Sequence, residues 1–149
     1  MRYIFSLIVL LFVTTSSFSQ NTPQAAAKRR ANAQEELREI VKETREYLPL
    51  QLDEATRWTE ILISDKALTY KYIVNESEVA LSSINTTEMK SYLKNQVAKN
   101  HEMANCYWDL VVLKKNLVYL WVGSKTRSSR SVTITYDELR KLRNFSSWL

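Results

Sequence analysis

Apolar and polar positions follow two different spacings along the chain, and each spacing predicts its own type of element. From 25 to 48, small and apolar residues recur every three or four positions without glycine or proline, which predicts a helix. Pro49 ends this helix because its ring disfavours the helical conformation at Leu48. We interpret the helix as packed on its own domain, with a coiled-coil or membrane-surface helix as the alternative. Its stripe contains Ala27, Ala31, Gln34, Leu37, Val41, Thr44 and Leu48.

A spacing of two predicts two β-hairpins. Residues 56–63 are rich in strand-forming side chains, and 68–74 alternate after a short polar turn. Residues 117–122 are apolar on both faces, which is typical of a central strand. After a polar loop at 123–129, residues 131–136 alternate cleanly and predict a strand with one buried face.

Helical patterns separate and follow these hairpins. Asn85 and Glu88 form a capping-box pattern that predicts a helix from 86 to about 100. The next apolar stretch, 106–113, fits a helix or a strand, and we favour a short helix. Residues 137–144 predict a terminal helix. The order α-ββ-α-ββ-α favours one α+β domain over residues 25–149, with an antiparallel sheet.

The N-terminus has the pattern of a secretory signal peptide. Arg2 precedes an apolar run at 3–13, and Ser17-Phe18-Ser19 provides small residues at the peptidase positions. We therefore predict a signal peptide at 1–19, cleavage before Gln20, a linker at 20–24 and a periplasmic or extracellular protein. The apolar run is shorter than the ~20 residues that span a bilayer, and no cysteine follows it for lipidation. We expect no stable membrane anchor.

Composition narrows the chemistry of the exported chain. The formal net charge of +5 becomes +4 when Arg2 leaves with the leader. Outside the cytoplasm this charge indicates an acidic protein surface, anionic lipid or a polyanionic glycan as partner, although a mildly basic surface with no special partner is the interpretation that we favour. Export makes nucleic acid a poor partner. Cys106 is the only cysteine, so no intramolecular disulfide can form. Gly123 is the only glycine, which argues against glycine-rich nucleotide sites. We expect no cofactor.

Candidate catalytic residues are few. His101 is the only histidine, so the usual zinc and copper sites lack ligands, and its polar surroundings favour a solvated side chain. Cys106 lies in an apolar context and is expected to be a buried, inert thiol. The run Gly123-Ser124-Lys125-Thr126 resembles the end of a phosphate loop, but position 118 is valine where that motif needs glycine.

Two segments are candidate interaction surfaces. The basic loop, 124–130, carries Lys125, Arg127 and Arg130, although a solvated hairpin turn is the interpretation that we favour. The C-terminal tail, 145–149, contains Phe145, Trp148 and Leu149. It either docks on the core, which we favour, or remains an exposed apolar ligand.

Leu48-Pro49, Asp53 and Thr56 stand in an LPxxxDxxT pattern, and 68–72 form an LTYxY strand. These motifs resemble those of a family of small exported bacterial domains whose function is largely unassigned. Members carry a later cysteine after a helix and a YxY-like strand, which Cys106 and 117–121 would represent here. The resemblance covers about 48–136 and implies export and fold more than activity. The second cysteine that members often carry is absent. The leader ending Ser-Phe-Ser-Gln also resembles leaders common in Bacteroidetes.

These features predict an exported, non-catalytic bacterial domain that binds a protein or an envelope component, in an inhibitor, immunity or assembly role. One alternative is a small secreted hydrolase that uses His101 or carboxylates. Another is a peripheral membrane-surface protein that uses the helix at 25–48.

Overall fold

A computed structural model describes residues 22–142, and this part of the chain forms four α-helices beside one five-stranded sheet. The predicted leader, its cleavage before Gln20 and the C-terminal tail lie outside these residues. The helices are α1 (Pro23–Glu46), α2 (Thr86–Lys99), α3 (Ala104–Val112) and α4 (Tyr136–Leu142). The strands are β1 (Leu50–Gln51), β2 (Thr56–Ile63), β3 (Ala67–Val74), β4 (Asn116–Gly123) and β5 (Ser129–Ile134), and a 3₁₀ turn covers Leu81–Ser83. The α+β class is confirmed.

The sheet order is β1-β2-β3-β4-β5, and the arrangement of its two hairpins corrects the sequence prediction. Strands β2 and β3 pair antiparallel, as do β4 and β5, but β3 and β4 pair parallel. The sheet is therefore mixed and not antiparallel. The cause is the connection through α2 and α3, which returns the chain to the end of the sheet where β3 began, as parallel neighbours require. The two-residue edge strand β1 was not among the predicted strands.

The helix boundaries follow local signals in the sequence. The hydroxyl of Thr22 caps α1, which begins at Pro23, so the last two residues of the predicted linker are helical. The Asn85 side chain accepts hydrogen bonds from the backbone N–H groups of Thr87 and Glu88, which begins α2 as predicted. The ambiguous stretch after Cys106 is helical, as α3.

A β-bulge interrupts the pairing of β2 with β3 between Trp58 and Glu60. The extra residue, Thr59, donates its hydroxyl hydrogen to the Lys71 carbonyl at 3.2 Å. In a regular strand, residues 58 and 61 would point to opposite faces. The bulge brings Trp58 and Ile61 to the same face of the sheet. On β3, Trp58 pairs with Tyr72 and Ile61 pairs with Tyr70. The spacing of three between Trp58 and Ile61 is the trace of the bulge in the sequence.

The core lies between one face of the sheet and the helices. Side chains of α1, α2, α3 and α4 all belong to the main buried cluster, which places the helices on that face. Helix α1 packs on α3 and β2. Its buried residues are Ala33, Leu37 and Val41, while Ala27 and Ala31 of the predicted stripe are exposed. The helix therefore packs on its own domain.

Candidate functional site

Five large aromatic side chains lie in two adjacent rows across the helix-facing side of the sheet. Register pairs Trp58 with Tyr72 and Tyr72 with Trp121, and it pairs Tyr70 with Tyr119. Within a row, the ring centroids of Tyr72 and Trp121 are 5.8 Å apart and those of Tyr70 and Tyr119 are 5.4 Å apart. Between rows, Trp58 meets Tyr70 edge to face at 5.2 Å. These distances are those of favourable aromatic pairs, so the rings form one continuous packed surface.

A cavity of about 610 Å³ lies above these rings. Trp58, Tyr70, Tyr72 and Tyr119 form its floor, and the end of α2 with the start of α3 forms its wall. We call it the aromatic groove. Its volume falls within the range of ~300–1,000 Å³ that is usual for ligand sites. The wall consists of Gln96, Val97, Lys99, Asn100, Glu102, Met103 and Tyr107.

The floor of the aromatic groove is uncharged over the ordinary pH range. Burial raises the pKa of Tyr70 well above its usual value, and burial is also the main cause that raises the pKa of Tyr72 and Tyr119. The phenols therefore stay protonated. Charges come only from the wall, where Lys99 and Glu102 contribute one of each sign. This arrangement suits an apolar or aromatic group with a polar margin.

The residues of the basic loop do not form one cluster with the groove. Lys125 and Arg127 lie in the turn between β4 and β5, whereas Arg130 lies in β5 opposite Trp121. None of the three lines the aromatic groove. All three are exposed. The binding-surface prediction for this loop therefore remains a prediction.

The same turn binds a carboxylate of its own chain through its backbone. Glu76 accepts hydrogen bonds from the backbone N–H groups of Lys125 at 2.8 Å and Thr126 at 2.7 Å. The Thr126 hydroxyl donates a third at 2.8 Å. The backbone N–H of Thr126 is the main cause that lowers the pKa of Glu76, so the carboxylate stays ionised. The run that resembles a phosphate loop thus holds an internal anion.

The two remaining candidate residues, His101 and Cys106, have different environments. His101 is exposed in the turn between α2 and α3. Cys106 is buried in α3, where burial, with a smaller effect of Asp109, raises the pKa of its thiol to about 12. Such a thiol carries almost no thiolate at neutral pH and is a poor nucleophile. Among residues 22–142, no group of three or more His, Cys, Asp or Glu side chains is placed to hold a metal ion.

The sequence pattern does not identify the aromatic side chains of the groove as a site. Alternating aromatics in two strands were visible, at Tyr70 and Tyr72 and again at Tyr119 and Trp121. The pattern predicts one buried face but does not reveal that the helical layer leaves part of that face uncovered. The wall residues follow no motif, because they come from the end of one helix and the beginning of another.

The fold is similar to two solved structures of low sequence identity. One is a protein of Pseudomonas aeruginosa described as secreted, with a TM-score of 0.60 and 18% identity over 75% of this chain and 96% of that one. The other is EpsS, the pilotin of the Vibrio vulnificus type 2 secretion system, with a TM-score of 0.57 and 11% identity over 76% of this chain and 96% of that one. No protein-family model and no curated protein matches the sequence. In the described part of the chain, no helix has the length and apolar character needed to cross a membrane.

Proposed function

We propose that this chain is an exported, non-catalytic bacterial protein that binds an apolar segment of another envelope protein in the aromatic groove. The observation that carries the proposal is the packed, uncharged floor of Trp58, Tyr70, Tyr72 and Tyr119 under a cavity of about 610 Å³. Aromatic side chains contribute much of the binding energy at protein interfaces, because they bury large areas at little cost in conformational entropy.

The polar wall adds direction to this apolar floor. Gln96 and Asn100 supply amides, and Lys99 and Glu102 supply one charge of each sign. Such a border selects how a segment enters, while the aromatic floor supplies most of the affinity. The floor of the groove carries no carboxylate, histidine or cysteine side chain, so binding explains it better than hydrolysis does.

The comparisons support an envelope role. One similar fold belongs to a protein described as secreted and another to a pilotin of a secretion system. Among the inhibitor, immunity and assembly roles, the likeness to a pilotin favours assembly. The leader at 1–19 and the motif resemblance to exported bacterial domains agree with this assignment. Asp53 and Thr56 of that motif meet in the turn before β2, where the Thr56 N–H donates to the Asp53 carboxylate at 2.7 Å.

The test is capture of a partner from an envelope extract by the immobilised mature protein. Gln96→Arg places a long charged side chain at the wall of the groove without removing a core residue, and Trp58→Ala removes part of the floor. We expect both variants to lose the captured protein. Tyr92→Ala is the matched control, since Tyr92 is 57% exposed on α2 and does not line the groove.

Circular dichroism of each variant separates loss of binding from loss of fold. Equal capture by the wild type and a folded Gln96→Arg variant would contradict the proposal. If any hydrolytic activity is found instead, its loss in His101→Ala would favour the secreted hydrolase. Co-sedimentation with lipid vesicles alone would favour the peripheral membrane protein.

A further inference from the structure

The outer edge of β5 presents backbone groups that no strand of the described sheet pairs with. Strand β5 is the last in the sheet order, and among residues 22–142 it pairs with β4 alone. The Gly123 N–H donates to the Ser128 carbonyl at 2.9 Å, and the register then continues without a break to the pair Leu117 and Ile134. Because backbone groups alternate in direction along an antiparallel strand, those of Ser131 and Thr133 point away from β4.

A second cavity lies along this edge and is separate from the aromatic groove. Its volume is about 430 Å³, and we call it the edge groove. Strand β5 forms one side and α2 forms the other, and the two grooves share no lining residue. The lining is polar apart from Val132, and it consists of Thr86, Thr87, Lys90, Ser91, Lys94, Ser131, Val132, Thr133 and Glu138.

The charges of the edge groove are predominantly positive. Lys90 and Lys94 project from successive turns of α2, and Glu138 lies between them at 2.9 Å from the Lys90 ammonium and 3.4 Å from that of Lys94. The Glu138 carboxylate also accepts hydrogen bonds from the Thr135 backbone N–H at 3.0 Å and from the Thr135 hydroxyl at 3.3 Å, so one anion is shared among four donors. Each ammonium group has three N–H donors, which leaves both lysines able to bind a further carboxylate.

We propose that the edge groove binds an extended, acidic segment of a partner protein, which adds to β5 as a sixth strand. Main-chain hydrogen bonds to Ser131 and Thr133 would provide affinity, and carboxylates of the segment would meet Lys90 and Lys94. This is the strand-addition mode of peptide recognition, in which an open sheet edge supplies backbone pairing and neighbouring pockets supply specificity. The positive net charge of the chain favours the encounter with such a segment.

The proposal does not depend on the aromatic groove, because the two surfaces are built from different residues. A variant can therefore lose binding at one groove and keep binding at the other. The segment that fits spans roughly five residues, as judged from the length of β5 beyond its first residue at ~3.4 Å per residue.

The experiment uses three labelled probe peptides and fluorescence anisotropy with the full mature chain. The first probe is the acidic pentapeptide Glu-Val-Glu-Val-Glu with blocked ends. The second replaces each Glu with Lys. The third keeps the acidic side chains but carries N-methyl groups on every backbone nitrogen, which removes the N–H donors from both edges of the peptide. We expect only the first probe to bind, with affinity that falls as salt is raised.

Variants then locate the site. Lys90→Ala/Lys94→Ala should weaken binding of the acidic probe roughly tenfold, the sum of two partly exposed ion pairs. Lys28→Ala/Lys42→Ala removes the same charge from the exposed part of α1 and should leave binding unchanged. Equal binding of the N-methylated and unmethylated acidic probes would overturn strand addition. Equal affinity of the two double variants would overturn the assignment of the site to the edge groove.

Discussion

The Glu76 carboxyl group occupies the space where a side chain at Gly123 would begin. A Cβ atom placed on Gly123 would lie 2.5 Å from the Glu76 carboxyl carbon, well inside van der Waals contact. The only glycine of the chain is therefore required by a neighbour and not by its own backbone angles, since Gly123 has no positive φ. Glu76 in turn is held there by the backbone of the turn after β4.

This relationship predicts a non-additive pair of substitutions. Gly123→Ala should destabilise the fold, because the new methyl group displaces the Glu76 carboxylate from its three donors. In a Glu76→Ala background the same substitution should cost little, since the obstructing group is gone. Urea unfolding of the two single variants and the double variant measures the coupling. Costs that simply add would show that Glu76 does not restrict position 123.

Because of the buried carboxyl group of Asp109, we expect the stability of the fold to fall as the pH rises toward neutrality. The Asp109 side chain is buried in α3, and its Oδ2 atom has no hydrogen-bond partner among the described residues. Burial, with a smaller effect of Glu36, raises its pKa from 3.8 to about 7. The folded state therefore holds a proton that the unfolded state releases above pH ~4. Between pH 4.5 and 7.5 the free energy of unfolding should decrease by about 2–4 kcal/mol from this group.

Asp109→Asn tests this dependence directly, because the amide has a similar shape and does not ionise. Urea unfolding at several pH values should give a flatter profile for the variant than for the wild type across the same range. Glu138 titrates outside this range, since the Thr135 N–H and the two lysines lower its pKa to about 2. Parallel profiles for both proteins would exclude Asp109 as the source.

The backbone conformation of Lys114 indicates that glycine at this position would stabilise the fold. Lys114 follows α3 with a φ of 54°, in the left-handed region that favours glycine. The Lys114 N–H donates to the Val111 carbonyl at 3.1 Å and the Lys115 N–H to the Leu110 carbonyl at 2.8 Å, which is the Schellman arrangement. Lys114→Gly should raise the free energy of unfolding by about 0.5–1 kcal/mol. Lys66→Gly, in the turn before β3, is a control in which no such gain is expected.

Because Cys106 is the only cysteine of the chain, we expect the fold to be insensitive to reductant. Cys106 is buried at 1% exposure, and the chain has no second cysteine. Cys106→Ala should cost about 1 kcal/mol, the price of a small cavity. The melting temperature of the wild type should not change when a reductant is added, and the native thiol should react slowly with a thiol reagent. Unfolding in reductant would contradict this and would point to a disulfide-linked dimer.

We expect that replacing the three basic side chains of the basic loop has little effect on the fold. In Lys125→Ser/Arg127→Ser/Arg130→Ser the backbone donors that hold Glu76 remain, so stability should stay within about 0.5 kcal/mol of the wild type. If the loop is a solvated turn, as we favour, the association rate with a captured partner should also stay the same. If the variant associates more slowly than the wild type at low salt, and the difference between the two rates shrinks at high salt, the loop is a docking surface.

Local physical chemistry explains how much of the fold the sequence determined. Helix caps, alternation and turn residues act over a few neighbouring positions, and so Asn85, the stretch 56–63 and the end of α3 were predicted close to where they lie. The choice of an α+β domain also followed from these local patterns. The leader at 1–19 is another local pattern that the sequence alone presents.

The tertiary structure decided whatever depends on residues distant in sequence. Strands β3 and β4 run parallel because two helices cross between them, and either direction was compatible with the alternation of each strand. The contact of Glu76 with Thr126 joins residues 50 positions apart and leaves no motif in the sequence. The aromatic groove lies between Tyr72 and Tyr119 of the sheet and the α2–α3 turn, and only the packing of the helices on the sheet brings these residues together.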